Sequence, residues 1–290
     1  MQLRSLIEGP GDPLLLVGCA DALTARIVVE AGFEAVYATG AGIANAQLGV
    51  PDIGLLTATE MLTQVERIVA AVDVPVVADL DTGYGNALNA ARAMRAFERA
   101  GVAGVQIEDQ VFPKHCGHFE GTEVIPAVEF LGKLAAVLDA RRDQDLVVIA
   151  RTDALASLGV DEAIERGRAY AEAGADVVFV EAPPSREVLQ RLPAEIPAPL
   201  LANVVEGGRT PELSAAELGA LGYRIVLFAN TALRLAARAV QEGLAVLRRD
   251  GTSGSLADRL LPWDERQRLV GLGEYRVLAE RYAKVENRNQ

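Results

Sequence analysis

The side chains of this 290-residue chain that could do chemistry crowd into a few short stretches. Asp79-Leu80-Asp81 sets two carboxylates two residues apart, just ahead of Thr82-Gly83-Tyr84-Gly85-Asn86. At a strand end that spacing turns both acids to one side. Two or three carboxylates with waters suit Mg2+, a hard ion that keeps much of its hydration and leaves positions for substrate oxygens. Glu108 and Asp52 are candidates to complete such a shell. A capped turn at Asp81 and an Asp79–Arg151 pair are the structural alternative. Lys114-His115-Cys116-Gly117-His118 then holds both histidines and one of the two cysteines. Neighbouring cations lower a thiol's pKa and make it reactive. The His-Cys-His spacing is too tight for a structural zinc site, and no second Cys/His pair exists. Cys19 lies in an apolar run and reads as core.

Eight short apolar runs must position these residues: 14–19, 34–39, 74–79, 104–109, 146–151, 177–182, 199–204 and 224–229. Most are near-continuous and rich in Val, Ile and Leu, as strands buried on both faces are. Ala-rich helical patterns separate them, and three helices close alike, at Glu30-Ala31-Gly32, Arg99-Ala100-Gly101 and Glu172-Ala173-Gly174. Glycine there suits a left-handed cap that returns the chain to the sheet. The alternation predicts an α/β fold, a parallel (β/α)8 TIM barrel, with a doubly wound sheet as the alternative. A barrel places its site at the C-terminal strand ends. Polar residues stand there in series: Asp21, Tyr37 with Thr39, Asp79 with Asp81, Glu108, Arg151, Glu181 and Asn203. Residues 110–126 lack a helical period and read as a long loop over that mouth, of the kind that closes on substrates.

Composition narrows the partners. The net charge is −12 and no basic cluster exceeds a pair such as Arg248-Arg249, so nucleic acid is not expected. No stretch approaches the ~18 apolar residues of a membrane span. The first residues, broken by Gly and Pro and carrying Glu8 and Asp12, lack a signal peptide's apolar segment. Two cysteines make no disulfide framework. A cytoplasmic protein is expected.

TGAG (39–42), PD (51–52), DLDTGYGN (79–86), IEDQVFPKHCGH (107–118), ARTDA (150–154) and LANVVEGG (201–208) together resemble the isocitrate lyase and phosphoenolpyruvate mutase superfamily, over about residues 10–285. Methylisocitrate lyases and carboxyphosphonoenolpyruvate mutase-like proteins are the most similar branches. The resemblance implies that Asp79 and Asp81 serve Mg2+ (or Mn2+), with Glu108 and Asp52 reaching its waters. It implies that Thr39, Gly40, Ala41 and Arg151 hold an α-keto-acid carboxylate, and that Cys116 protonates the leaving carbanion. Tyr37 matches a proposed base. Lys114 and His118 join the catalytic set, and Gly117, Glu181, Asn203 and Arg234 the substrate site. It further implies a barrel domain over 1–250 and a helical extension over 251–290 that packs on a partner subunit, in a homotetramer of helix-swapped dimers.

The implied activity is a Mg2+-dependent carbon–carbon lyase that cleaves a 2-hydroxy di- or tricarboxylate, methylisocitrate-like, to an α-keto acid and a carboxylate. Phe119-Glu120-Gly121 and Phe228-Ala229-Asn230-Thr231 depart from the methylisocitrate lyase pattern, and the former resembles the mutase-labelled and dicarboxylate-lyase branches. Oxaloacetate hydrolysis and carbon–phosphorus rearrangement are the alternatives. The latter needs no carbanion acid, so Cys116 argues against it. A non-enzymatic binding scaffold would have no use for the full polar series.

Overall fold

The computed structural model describes residues 2–115, 117 and 121–286. Its eight strands are β1 (Leu14–Cys19), β2 (Val36–Ala38), β3 (Val76–Asp79), β4 (Gly104–Glu108), β5 (Val147–Thr152), β6 (Val177–Val180), β7 (Leu200–Asn203) and β8 (Tyr223–Phe228). All pair in parallel with their sequence neighbours, and β8 pairs with β1, so the sheet closes into a barrel. Every apolar run expected to be a strand is one. The doubly wound alternative is excluded by that closure.

The helices of the barrel unit are α1 (Leu3–Glu8), α2 (Ala22–Glu30), α3 (Gly40–Ile43), α4 (Ala58–Val69), α5 (Ala87–Arg99), α6 (Ala127–Ala140), α7 (Ala154–Leu158), α8 (Val160–Glu172), α9 (Arg186–Glu195) and α10 (Ala215–Leu221). Gly32, Gly101 and Gly174 follow α2, α5 and α8 with φ of 93°, 90° and 102°, the left-handed closures expected of them. Asp21, Thr57, Asn86 and Ser214 cap α2, α4, α5 and α10 by accepting backbone N–H bonds.

Strand alternation makes two cores. Val36, Val76, Val105, Val148, Val178 and Val226 face the helices. Tyr37, Val77, Ile149, Phe179, Leu201 and Ile225 fill the barrel, joined from below by Leu3 and Ile7 of α1. Those two residues, one turn apart, plug the barrel floor. Arg224 of β8 holds the plug by donating to the carbonyls of Ile7, Gly9 and Gly11. Cys19 is buried, and burial with the nearby Asp21 pushes its thiol up to about 12, so it is core as expected.

A second compact unit, Arg234–Gln290, begins inside α11 (Thr231–Asp250). Residue 250, where the sequence places the end of the barrel domain, is the last of that helix. A 3-10 turn (Gly254–Arg259), α12 (Trp263–Leu269) and α13 (Leu272–Glu286) follow. Arg238 and Arg259 both pair with Glu242, and Arg266 lies 4.1 Å from the centroid of the Trp263 ring. Leu235, Val240, Leu244 and Leu247 of α11 are exposed. No helix among the described residues is long and apolar enough to cross a membrane.

Candidate active site

Four strands deliver a polar group by one further inward step. Val77 is followed two residues on by Asp79, Ile149 by Arg151, Phe179 by Glu181 and Leu201 by Asn203. The apolar interior thus ends in a layer of charge at the C-terminal mouth, where a cavity of about 60 Å3 is lined by these residues and by Tyr37, Thr39, Ala41, Asp52, Lys114 and Gly117. Gly40 flanks it: a Cβ there would come within 2.9 Å of Asp79 Oδ2 and 3.3 Å of Asp81 Oδ1. Among the described site residues, all those of the barrel unit expected from sequence converge here. Arg234 belongs to the second unit. Cys116 and His118 lie outside the described residues.

Asp79 acts locally, accepting from the Gly40 N–H (3.3 Å) through one oxygen and the Asp81 N–H (3.1 Å) through the other. Asp81 takes the left-handed φ of 47° that sharpens this turn. Lys114, reaching in from the 110–126 loop, sets its ammonium 2.6 Å from Asp52 and 2.7 Å from Asp81. Burial alone would favour the neutral amine, but the surrounding Asp81, Glu108, Asp52 and Asp79 outweigh it and hold Lys114 protonated. For Asp81 burial wins over the pull of Lys114, and its carboxyl rises to about 6.

Arg151 organises the other half. Its Nε and Nη2 form a fork on Asp153 (2.9 and 2.7 Å), while Nη1 lies 3.3 Å from Glu108 and Nη2 3.2 Å from Glu181. It does not pair with Asp79, and its best bidentate edge faces Asp153. Burial pushes Glu108 well above the carboxylate range and Asp153 to about 6, each against the opposing charge of Arg151. Tyr37 rises for the same reason, with Asp79 adding to it. Asp153, Gln106, Phe179, Val205, Leu227, Ala229 and Asn230 were not singled out by sequence. Gln106 and Asp153 carried a signal, since each stands two residues from a chosen one on the same strand or its end.

A hydrated divalent cation fits this donor set. Among the described residues no three carboxylate, imidazole or thiol groups could hold a metal by themselves. Mg2+ does not require that, because it binds through one or two carboxylates and keeps its waters. Glu108 Oε1 is buried without a hydrogen-bond partner among the described residues, and Asp52 and Asp81 hold a cation already, the Lys114 ammonium.

The (β/α)8 barrel thus gathers at its mouth carboxylates, a buried lysine and a largely buried arginine. The family model for phosphoenolpyruvate phosphomutase matches residues 3–248, and the chain belongs to that phosphoenolpyruvate mutase/isocitrate lyase family. It is 46% identical over 266 residues to a 2,3-dimethylmalate lyase of Eubacterium barkeri, covering 92% of each chain. The structure of an oxaloacetate acetylhydrolase with the inhibitor 3,3-difluorooxalacetate superposes with a TM-score of 0.92 at 36% identity, covering 97% of this chain and 96% of that one. A phosphonopyruvate hydrolase in complex with oxalate and Mg2+ superposes at 0.88 and 34% identity, covering 98% and 100%.

Gly117 seats the 110–126 loop on this cluster. A Cβ there would lie 2.5 Å from each of Arg151 Nη2, Asp153 Oδ1 and Glu181 Cγ. Gly117→Ala should therefore push the loop off Arg151 and lower kcat/KM by about 10²-fold, the scale of a 1 Å misplacement. Circular dichroism should show the fold intact. Unchanged kcat/KM would mean that this contact does not bear on the reaction.

Proposed function

We propose that the protein is a Mg2+-dependent carbon–carbon lyase acting on a 2-hydroxy dicarboxylate of the substituted-malate type. The observation that carries the reading is the Lys114–Asp52–Asp81 and Arg151–Glu108–Asp153–Glu181 constellation around one cavity at the barrel mouth. Two buried cations suit the two carboxylates of such a substrate. Phe179, Val205, Leu227 and Ala229 give the same cavity an apolar flank, which suits alkyl substituents. The similarity to a 2,3-dimethylmalate lyase supports this choice over a tricarboxylate.

Asp79 and Asp81 would hold the metal, with Glu108 and Asp52 on its waters. When bound, Mg2+ supplies a Lewis acid for the substrate's 2-oxygen and carboxylate. The Thr39–Ala41 turn and Arg151 would orient that carboxylate, and Glu181 and Asn203 would line the reacting end. Tyr37, the base that the resemblance implies, would take the hydroxyl proton once a bound cation offsets the burial and the Asp79 charge that raise its phenol. Cys116, with Lys114 and His118 beside it in sequence, would return a proton to the carbanion. Arg234 would join the site as the resemblance implies. The exposed apolar face of α11 supports a helix-swapped dimer, assembled as a homotetramer.

The deciding experiment is a screen of the purified protein with Mg2+ against substituted malates, methylisocitrate, oxaloacetate and phosphonopyruvate, detecting released keto acid and oxalate. Pyruvate should appear fastest from a substituted malate. Cys116→Ser should cut that rate by roughly 10²–10⁴-fold, as loss of a general acid does, with oxalate and Mg2+ still bound. Oxalate release from oxaloacetate alone would instead favour the hydrolase reading, which the 0.92 superposition also supports.

The pH trend of metal binding has a fixed sign. Asp81 must ionise to hold Mg2+, and its carboxyl sits at about 6, against 3.8 ordinarily. Mg2+ affinity should fall as pH drops through 6. The metal-free protein should behave oppositely. A carboxyl raised on folding contributes stability below its unfolded pKa that is lost as pH rises through its folded one. Thermal unfolding between pH 5 and 8, with and without Mg2+, should show these opposed slopes. Parallel slopes would remove Asp81 from the metal site.

A further inference from the structure

Asp109 directly follows Glu108, yet it faces away from the cavity and is fully buried. Its Oδ2 accepts three hydrogen bonds, from Thr152 Oγ1 (2.7 Å), Arg166 Nη1 (2.9 Å) and the Tyr170 hydroxyl (2.7 Å). Its Oδ1 accepts from the Asp153 N–H at 2.9 Å. Arg166 and Tyr170 both come from α8, outside the mouth, and Phe130 of α6 braces the Tyr170 ring at a centroid distance of 4.5 Å.

The same guanidinium nitrogen that meets Asp109 also donates to the Ile125 carbonyl at 2.9 Å. Asp109 and Ile125 are the two ends of the loop that carries Lys114 and Gly117. Their backbones are joined as well, by Ile125 N–H to Asp109 O (2.9 Å), Val111 N–H to Glu123 O (2.9 Å) and the Gln110–Val124 bridge. One turn further in, the buried Gln110 amide grips the His115 backbone on both sides, donating to its carbonyl (2.8 Å) and accepting from its N–H (2.9 Å).

We infer that Arg166, with Asp109 and Tyr170, is a positioning device for the reaction: it fixes both ends of the 109–125 segment and, through Thr152 and Asp153, the seat of Arg151. Arg166 touches no cavity residue in this arrangement and acts through Asp109 and Ile125. Its geometry cannot be replaced by a point charge, because one planar group must reach Asp109, Ile125 and Glu162 at once. Removing it outright would leave Asp109 three donors but no buried counter-charge, so the informative variant keeps the charge and loses the fork. What is lost is the tie between loop and helix.

The inference rests on the lyase reading only for its effect on turnover; the clamp itself is read by amide exchange. In full-length Arg166→Lys, which keeps a charge beside Asp109 but cannot reach Asp109, Ile125 and Glu162 at once, exchange should quicken across 110–115 and 121–125, while the strands keep their protection. With the substituted malate, kcat should fall by about 10²-fold, and calorimetry should find oxalate with Mg2+ bound as before. Tyr170→Phe, which removes one hydrogen bond, should move both readouts the same way, with a kcat loss of roughly 2–10-fold. Unchanged exchange in both variants, or exchange quickened throughout the barrel, would overturn the proposal, as would an unchanged kcat. If the wild-type protein released no keto acid, the exchange data would still decide the clamp, and the lyase reading alone would fail.

Discussion

Lys114 and Arg151 each stand between carboxylates that are largely out of reach of water, and the rest of the site is arranged around them. Ionised carboxylates are costly to bury unless paired and hydrogen-bonded. Here two cations are shared among Asp52, Asp81, Glu108, Asp153 and Glu181. Burial already drives Asp81 and Asp153 to about 6 and raises Glu108 as well. Six carboxylates, counting Asp79, thus meet two cations, and the raised ones are short of positive charge that a divalent ion would supply. The same sharing keeps Lys114 and Arg151 charged for a substrate that brings carboxylates of its own.

That charge is tolerable because the fold confines it. Inward positions are apolar through Tyr37, Val77, Ile149, Phe179 and Leu201, and α1 closes the floor beneath them. Carboxyl and guanidinium groups appear only at the next inward step, at Asp79, Arg151 and Glu181. The cavity of about 60 Å3 is far below the roughly 300–1,000 Å3 of ligand clefts, so loading must move lining groups. Lys114 is the natural one to move, since the carboxylates it holds are those a metal would use.

The barrel was legible because parallel strands buried on both faces leave continuous apolar runs, and because Gly32, Gly101 and Gly174 mark the helix ends. The site was legible where a strand end changes from apolar to charged. The family resemblance, and the lyase activity it implies, agree with the relatives found. Pairing was not legible. Arg151 chooses Asp153 over Asp79 because both side chains leave the end of β5 on one side, a geometry that sequence spacing allows without selecting. Asp109 follows the metal-shell candidate Glu108, but its burial against α8 depends on contacts more than forty residues away in sequence. Arg166 and Tyr170 sat on what reads as an ordinary amphipathic helix.

On the proposed lyase reading, Lys114 occupies, by charge, the place that a divalent cation would take. Calorimetry of Mg2+ binding to wild-type and Lys114→Met proteins, without substrate, tests it most directly. Removing a positive charge 2.6 Å from Asp52 and 2.7 Å from Asp81 should tighten Mg2+ binding by roughly tenfold or more, even after solvent screening. Unchanged or weaker Mg2+ binding in Lys114→Met would contradict the account, because Asp52 and Asp81 would then not be the carboxylates that the metal uses.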